Sequence, residues 1–107
     1  MTTIRHMGIP VPNMNEAILF WKGEMGLKIV SIGNEEWNGR YFKIAKLEDV
    51  EGHQIELVEG PWPAHISLTV DEFPQGMDMT AYKDQGYLEV AFYDVPAVGT
   101  VEMVRHK

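Results

Sequence analysis

The chain has 107 residues, of which 45% are hydrophobic and 23% charged, and these values are ordinary for one folded globular domain. Nine basic residues against sixteen acidic ones give a formal net charge of −7, which disfavours binding to nucleic acid or to an anionic membrane surface. The absence of cysteine excludes disulfides, thiolate nucleophiles and cysteine-ligated metal sites. Without a membrane-length apolar stretch or a signal-peptide pattern, we expect a cytoplasmic protein that acts on a small molecule.

The first half of the chain predicts a strand, a helix and three further strands. An apolar run over 4–11 precedes Asn13, a good N-cap, and Glu16 stands three residues later in the position of a capping box. Apolar residues at helical spacing continue to Met25, and Gly26 ends the helix. The further strands are predicted over 27–32, 40–47 and 53–58.

The second half predicts four strands and no long helix. They are expected over 64–70, 77–83, 87–93 and 100–105. The segment 71–76 is short and is interrupted by Pro74 and Gly76, so a helix does not fit there. The halves therefore form a repeat, with module one over 4–59, a linker over 60–63 and a shortened module two over 64–105.

The spacing of matching residues supports this repeat. His6 and Glu56 lie 50 positions apart, whereas His65 and Glu102 lie 37 apart, and the deficit of 13 is about the length of the first-half helix. The sequence HMGIPV matches HISLTV at the start of each module, and GHQIELVE matches GTVEMVRH at the end.

In the first and last strands of each module, side chains alternate between an apolar face and a less apolar face. The less apolar face of each of these four strands carries one histidine or glutamate. We expect the apolar faces to pack on the helix or on a partner, and the other faces to line a polar concavity. His6, Glu56, His65 and Glu102 can meet there. Two imidazole nitrogens and two carboxylate oxygens suit a divalent transition metal.

These motifs, together with the Phe20-Trp21 helix that runs into Gly26-Leu27, resemble the vicinal oxygen chelate superfamily, and its glyoxalase I-like members most. The resemblance implies an α+β fold in which paired βαβββ modules form a curled, cup-shaped mixed sheet, here with the second helix reduced or absent. It also implies metal ligands from the first and last strands of each module, which are His6, Glu56, His65 and Glu102.

The function implied by the resemblance is that of a metal-dependent lyase or isomerase of glyoxalase type. A divalent ion (nickel, zinc, cobalt, manganese or iron) would chelate vicinal oxygens of a small substrate, and Glu56 or Glu102 would serve as the general base. One alternative is a metal-free binding protein of bleomycin-resistance type, with a pocket walled by aromatic side chains such as Trp37, Tyr41, Phe42, Tyr87 and Tyr93. Another is an extradiol-type dioxygenase, a class that uses two histidines and one glutamate.

Some features depart from the family pattern. The turn before the last strand, over 94–99, is altered, and a one-residue slip there would turn Glu102 to the opposite face.

The remaining histidines are not expected to be ligands. His53 is expected to be solvated at a turn, and His106 to lie in a disordered tail. Arg5 and Arg40 are isolated candidates for contact with an anionic group.

The missing helix also predicts an assembly. The apolar face of module two would have no cover from its own module, and large exposed apolar patches are rare in monomers. We therefore expect a homodimer that buries this face, with the active cup shared between subunits. The residues of the face are Ile66, Leu68, Val70, Val101 and Met103.

Overall fold

The computed structural model describes residues 1–107 and contains eight strands and one helical segment. The α-helix, Met14–Ile18, continues directly into a π-helical segment, Leu19–Glu24. This confirms the α+β class, the predicted order of elements and the absence of a helix from the second module. No helix is long and apolar enough to cross a membrane. The elements are β1 (Thr3–Val11), α1 (Met14–Ile18), β2 (Lys28–Trp37), β3 (Arg40–Glu48), β4 (Gln54–Glu59), β5 (His65–Thr69), β6 (Met79–Asp84), β7 (Leu88–Val95) and β8 (Gly99–His106).

The chain divides into two compact units. The first unit is Met7–Ala64, and the second unit combines Met1–His6 with His65–Lys107. Strand β1 contributes to both, because its first residues belong to the second unit and its last residues to the first.

The strands of the first unit lie in the order β2-β3-β4-β1, with β4 and β1 parallel and the other pairs antiparallel. The helix begins at the predicted N-cap, where the Asn13 side chain accepts a hydrogen bond of 3.0 Å from the Glu16 N–H. The Met14 N–H donates to the Glu59 carboxylate at 2.7 Å, which ties the first turn to β4. The apolar strand face packs against this helix, as predicted. Its core consists of Val11, Met14, Ala45, Leu47 and Leu57, with Ile9, Ala17, Ile18, Trp21, Leu27, Ile29 and Ile55 packed around them.

The strands of the second unit lie in the order β1-β5-β8-β7-β6, with β5 and β8 parallel and both β8-β7 and β7-β6 antiparallel. Its core consists of Val70, Ala91, Tyr93, Val101 and Met103, with Ile66, Leu68, Phe73 and Val95 packed around them.

The expectation that the apolar face of module two lacks cover from its own module was wrong. Val101 is 5% exposed and Met103 8%, because Phe73, from the connection between β5 and β6, packs onto this core. The Phe73 ring lies 6.4 Å from the Tyr93 ring, and the Arg105 guanidinium sits over it at 4.9 Å. The argument for a homodimer was that this apolar face is uncovered, and that argument does not hold. The homodimer stays a prediction, but it no longer has this support.

The two units repeat the same strand register. Gly8 pairs with Glu56 in the parallel β1–β4 ladder, and Ser67 pairs with Glu102 in the parallel β5–β8 ladder. Gly8 and Ser67 are each the third residue of their motifs, HMGIPV and HISLTV. Glu102 therefore has the register that the repeat predicts, in spite of the altered turn before β8.

Candidate metal centre

The second unit brings two histidines and one glutamate together. Ligand atoms of His6, His65 and Glu102 all lie within 4.8 Å of one another. The Glu102 Oε1 atom is 3.3 Å from His6 Nε2 and 4.0 Å from His65 Nε2. The two imidazole rings meet edge to face, with 5.7 Å between their centroids.

Strand pairing explains why these side chains converge. Glu102 lies opposite Ser67, which is two residues after His65 in β5 and therefore on the same face of that strand. On the other side of β8, Glu102 lies opposite Phe92, whose ring is 5.4 Å from the His65 ring. The parallel β5–β8 ladder thus places the carboxylate beside the imidazole, and Phe92 forms an apolar wall.

The carboxylate of Glu102 is held in its charged form. Burial raises the pKa of Glu102, but the neighbouring His6, Ser67 and His65 side chains outweigh burial and hold the pKa below its ordinary value. His6 and His65 are each 7% exposed, so the group is sheltered from bulk water. The ionised carboxylate is the form in which a glutamate ligates a metal ion.

The donor set fits a transition-metal ion. Two protein donors that share an ion, each about 2.0–2.2 Å from it, stand no more than about 4 Å apart. The separations of 3.3 and 4.0 Å between Glu102 and the two histidines lie within that span, and all three donors lie within 4.8 Å of one another. Two nitrogens and one hard oxygen suit nickel, zinc, cobalt, manganese or iron, and three protein ligands leave coordination positions for substrate or water.

Glu56, the fourth candidate ligand, belongs to the first unit. It is 8% exposed, and its register partners are Gly8 on one side and Lys46 on the other. One carboxylate oxygen lies 3.9 Å from Lys46 Nζ. The role of Glu56 as ligand or base stays a prediction.

Sequence reasoning missed Ser67 as a supporting residue. The available signal was its place in HISLTV, on the same strand face as His65 and at the position that repeats Gly8. His106 was expected in a disordered tail, which was wrong, because it is the last residue of β8. His53 lies where it was expected, at a turn with its side chain 77% exposed and 3.1 Å from Asp49.

The proposed aromatic wall of a binding pocket is not uniform in burial. Tyr93 is fully buried in the core of the second unit, so it packs rather than lines a surface. Tyr41 is 77% exposed and Tyr87 70% exposed. In the first unit, Trp62 lies edge to face with Phe42 at 4.7 Å and with Trp37 at 5.8 Å, which makes a compact aromatic cluster.

Comparison with known proteins places the fold. No protein-family model matches the sequence, and no curated protein matches it. A hypothetical protein from Bacillus halodurans superposes with a TM-score of 0.73 at 24% identity, over 99% of this chain and 95% of that one. Methylmalonyl-CoA epimerase from Mycobacterium tuberculosis gives a TM-score of 0.72 at 16% identity, over 97% and 87%. A glyoxalase I mutant from Zea mays gives 0.70 at 18% identity, over 98% of this chain and 43% of the maize chain.

The chain has the vicinal oxygen chelate fold. The resemblance noted in the sequence is thus confirmed for the fold. Within the vicinal oxygen chelate fold of this chain, the clustered residues come from the first strand of each module and the last strand of the second.

Proposed function

We propose that the chain is a metal-dependent lyase or isomerase that acts on a small oxygenated substrate. The observation that carries this proposal is the cluster of His6, His65 and Glu102, in which both histidines are buried. A site with these donors and open positions suits a substrate that offers two neighbouring oxygens. The glyoxalase I and epimerase names of the structural neighbours agree with this class.

The residues of the cluster have distinct tasks in this proposal. A divalent ion bound there would supply Lewis-acid stabilisation of the negative charge that develops when a carbon next to a carbonyl loses its proton. His6 and His65 would hold the ion through their Nε2 atoms, which face the Glu102 carboxylate at 3.3 and 4.0 Å, and Glu102 would supply the oxygen ligand. Phe92 covers the His65 ring and limits access of water to that side.

A carboxylate takes the substrate proton. Glu102 is one candidate for this general base, and Glu56 is the other, because the repeat register gives it the equivalent position in its own unit. We propose Glu56 as the fourth ligand on the same repeat relation.

A second candidate function rests on the three-residue cluster alone. Two histidines and one carboxylate with open positions form the donor set of non-haem iron oxygenases. In that case Glu56 has no part in the reaction, and the protein takes up dioxygen on a catechol substrate. The effect of replacing Glu56 therefore separates the two functions.

Metal analysis tests the site first. Untagged protein is dialysed, incubated separately with nickel, zinc, cobalt, manganese and iron, and its metal content measured. We expect about one ion per chain, lost in His6→Ala and in His65→Ala because each removes a ligand. His53→Ala removes an exposed histidine and serves as the matched control, with unchanged metal content. Failure of every metal to bind would overturn the proposal and favour the metal-free binding protein.

Turnover tests the chemistry. The metal-loaded protein is assayed on 2-oxoaldehyde adducts in deuterated water, where proton abstraction from carbon appears as deuterium incorporation. We expect Glu56→Gln and Glu102→Gln each to lower turnover by about 100-fold or more, the usual contribution of a general base. Glu24→Gln, which alters an exposed glutamate at the end of the helical segment, is the control. Unchanged rates in both variants would overturn the assignment, and iron-dependent dioxygen uptake that survives Glu56→Gln would establish the oxygenase.

A further inference from the structure

Arg5 is a partly buried arginine that has no acidic partner. Its Nη1 atom lies 3.5 Å from the Thr69 hydroxyl and 3.4 Å from His106 Nε2, and neither group is an anion. Its Nε atom is buried and meets no acceptor in the chain. A guanidinium offers five N–H donors, so most of the donors of Arg5 remain available.

Arg105, in the same unit, shows how the chain satisfies an arginine that has a structural task. Its guanidinium donates to Glu89 at 2.7 Å and to Glu72 at 2.9 Å, and it covers the Phe73 ring. The chain carries sixteen acidic residues, yet none pairs with Arg5. The surroundings of Arg5 therefore differ in kind from those of an arginine that only stabilises the fold.

The polar groups around Arg5 converge at one place. A neutral imidazole accepts a hydrogen bond from Arg5 at 3.4 Å, and a protonated one would add a second positive charge beside which an anion is favoured. The Thr69 hydroxyl adds a further donor at the same place. Asp71, two residues beyond Thr69, contacts the amino group of Met1.

We propose that Arg5, Thr69 and His106 form a binding site for an anionic group, a carboxylate or a phosphate, of a small molecule. Arginine binds both groups through paired charge-assisted hydrogen bonds. This site is distinct from the metal cluster and does not require a metal.

Strand geometry relates the anion site to the metal cluster. Thr69 is four residues after His65 in β5, and His106 is four residues after Glu102 in β8, so each pair shares one face of its strand. Four residues of extended strand span about 13 Å. If the proposed function holds, on which this step alone rests, the substrate is an extended molecule with its chelated oxygens at one end and an anionic group at the other.

Titration of the full-length protein with inorganic phosphate, and separately with acetate, tests the site by calorimetry and by the NMR signals of the His106 ring. We expect saturable binding at millimolar ligand, with the tighter of the two probes identifying the anion class. Arg5→Gln should weaken binding by about tenfold or more, because it removes the only permanent positive charge of the site. His106→Gln and Thr69→Val should each weaken it several-fold.

Two matched variants keep the test specific. Lys28→Gln removes one positive charge from an exposed position in the other unit and should leave binding unchanged. His65→Ala removes a metal ligand, and unchanged phosphate binding in that variant separates this site from anion binding at a metal. Lost binding in His65→Ala would assign the anion to the metal cluster and overturn the proposal.

Other outcomes would also overturn it. Absence of saturable binding with either probe would do so, and so would undiminished binding in Arg5→Gln. If circular dichroism shows that Arg5→Gln is unfolded, His106→Gln and Thr69→Val decide the matter, and full affinity in both rejects the site. None of these results depends on metal content, so this proposal and the proposed function can fail separately.

Discussion

In the first unit the apolar face of the sheet is covered by the helical segment over 14–24, whereas in the second unit it is covered by Phe73 from a connection without a helix. The strand registers of the units are nevertheless the same. In the second unit the Phe73 ring, 6.4 Å from the Tyr93 ring and beneath the Arg105 guanidinium, packs on the core where no helix is present. The strand ladder is therefore the constant part of this repeat, and the cover of its apolar face is the replaceable part.

Glu56 and Glu102, which occupy equivalent register positions in the two units, have different neighbours on the adjacent strand. Glu56 has Lys46 as its neighbour on the adjacent antiparallel strand, whereas Glu102 has Phe92 there. Glu102 is instead surrounded by His6, His65 and Ser67. Equal register thus places the two glutamates equivalently in the backbone, whereas the residues opposite them on the adjacent antiparallel strand differ.

The largest expected effect tests whether Phe73 covers the second unit as the helix covers the first. Phe73→Ala should lower the free energy of unfolding by about 2–3 kcal/mol, because it removes an aromatic ring from a core and leaves a cavity. Urea denaturation measures this. Trp21→Ala, which removes a ring from the helical cover of the first unit, should have an effect of similar size. Tyr87→Ala, at a 70% exposed residue, is the control and should cost less than about 0.5 kcal/mol. A cost for Phe73→Ala no greater than that of the control would break the comparison.

A smaller effect of opposite sign is expected at Tyr93, in the core that Phe73 covers. The Tyr93 hydroxyl is buried without a hydrogen-bond partner, and burial raises the pKa of this phenol. Tyr93→Phe should therefore keep or increase stability, by up to about 1 kcal/mol, because the buried hydroxyl forfeits its hydration. Thermal and urea unfolding of the variant and wild type measure the difference. Clear destabilisation would show that the Tyr93 hydroxyl has a hydrogen-bond partner. The core of the second unit would then depend on a polar contact as well as on apolar packing.

The smallest effect concerns the ion pairs beside Phe73. The hydrogen bond from Tyr82 to Glu89, aided by burial and by the charges of Glu89 and Asp84, raises the pKa of Tyr82 to about 12. Because the folded pKa lies above the ordinary value of 10.0, the stabilising contribution is complete below pH 10 and is lost as the pH rises to about 12. Tyrosinate absorbance measures this titration. Glu89→Gln should move the Tyr82 titration towards lower pH, and an unchanged titration would mean that Glu89 is not the cause.

Much of the fold and part of the site could be predicted from local patterns. The helix start follows from Asn13 and Glu16, whose capping hydrogen bond is local in sequence. The choice of His65 and Glu102 follows from period-two alternation together with the repeat. Phe73 could not be found in this way, because it lies in a segment without periodicity and its partners are distant in the chain. Ser67 gained its role only once the parallel ladder placed it opposite Glu102.

By itself the sequence determined the repeat, the order of the strands, the missing helix and the four candidate ligands, because hydrophobic period and residue spacing express short-range geometry. Tertiary structure alone decided that Phe73 packs on the second core, that His6, His65 and Glu102 form one cluster, and that Arg5 lies beside Thr69 and His106. These contacts join residues far apart in sequence. They depend on which strands pair in the sheet and on which groups the long side chains reach. A local sequence pattern predicts neither of these.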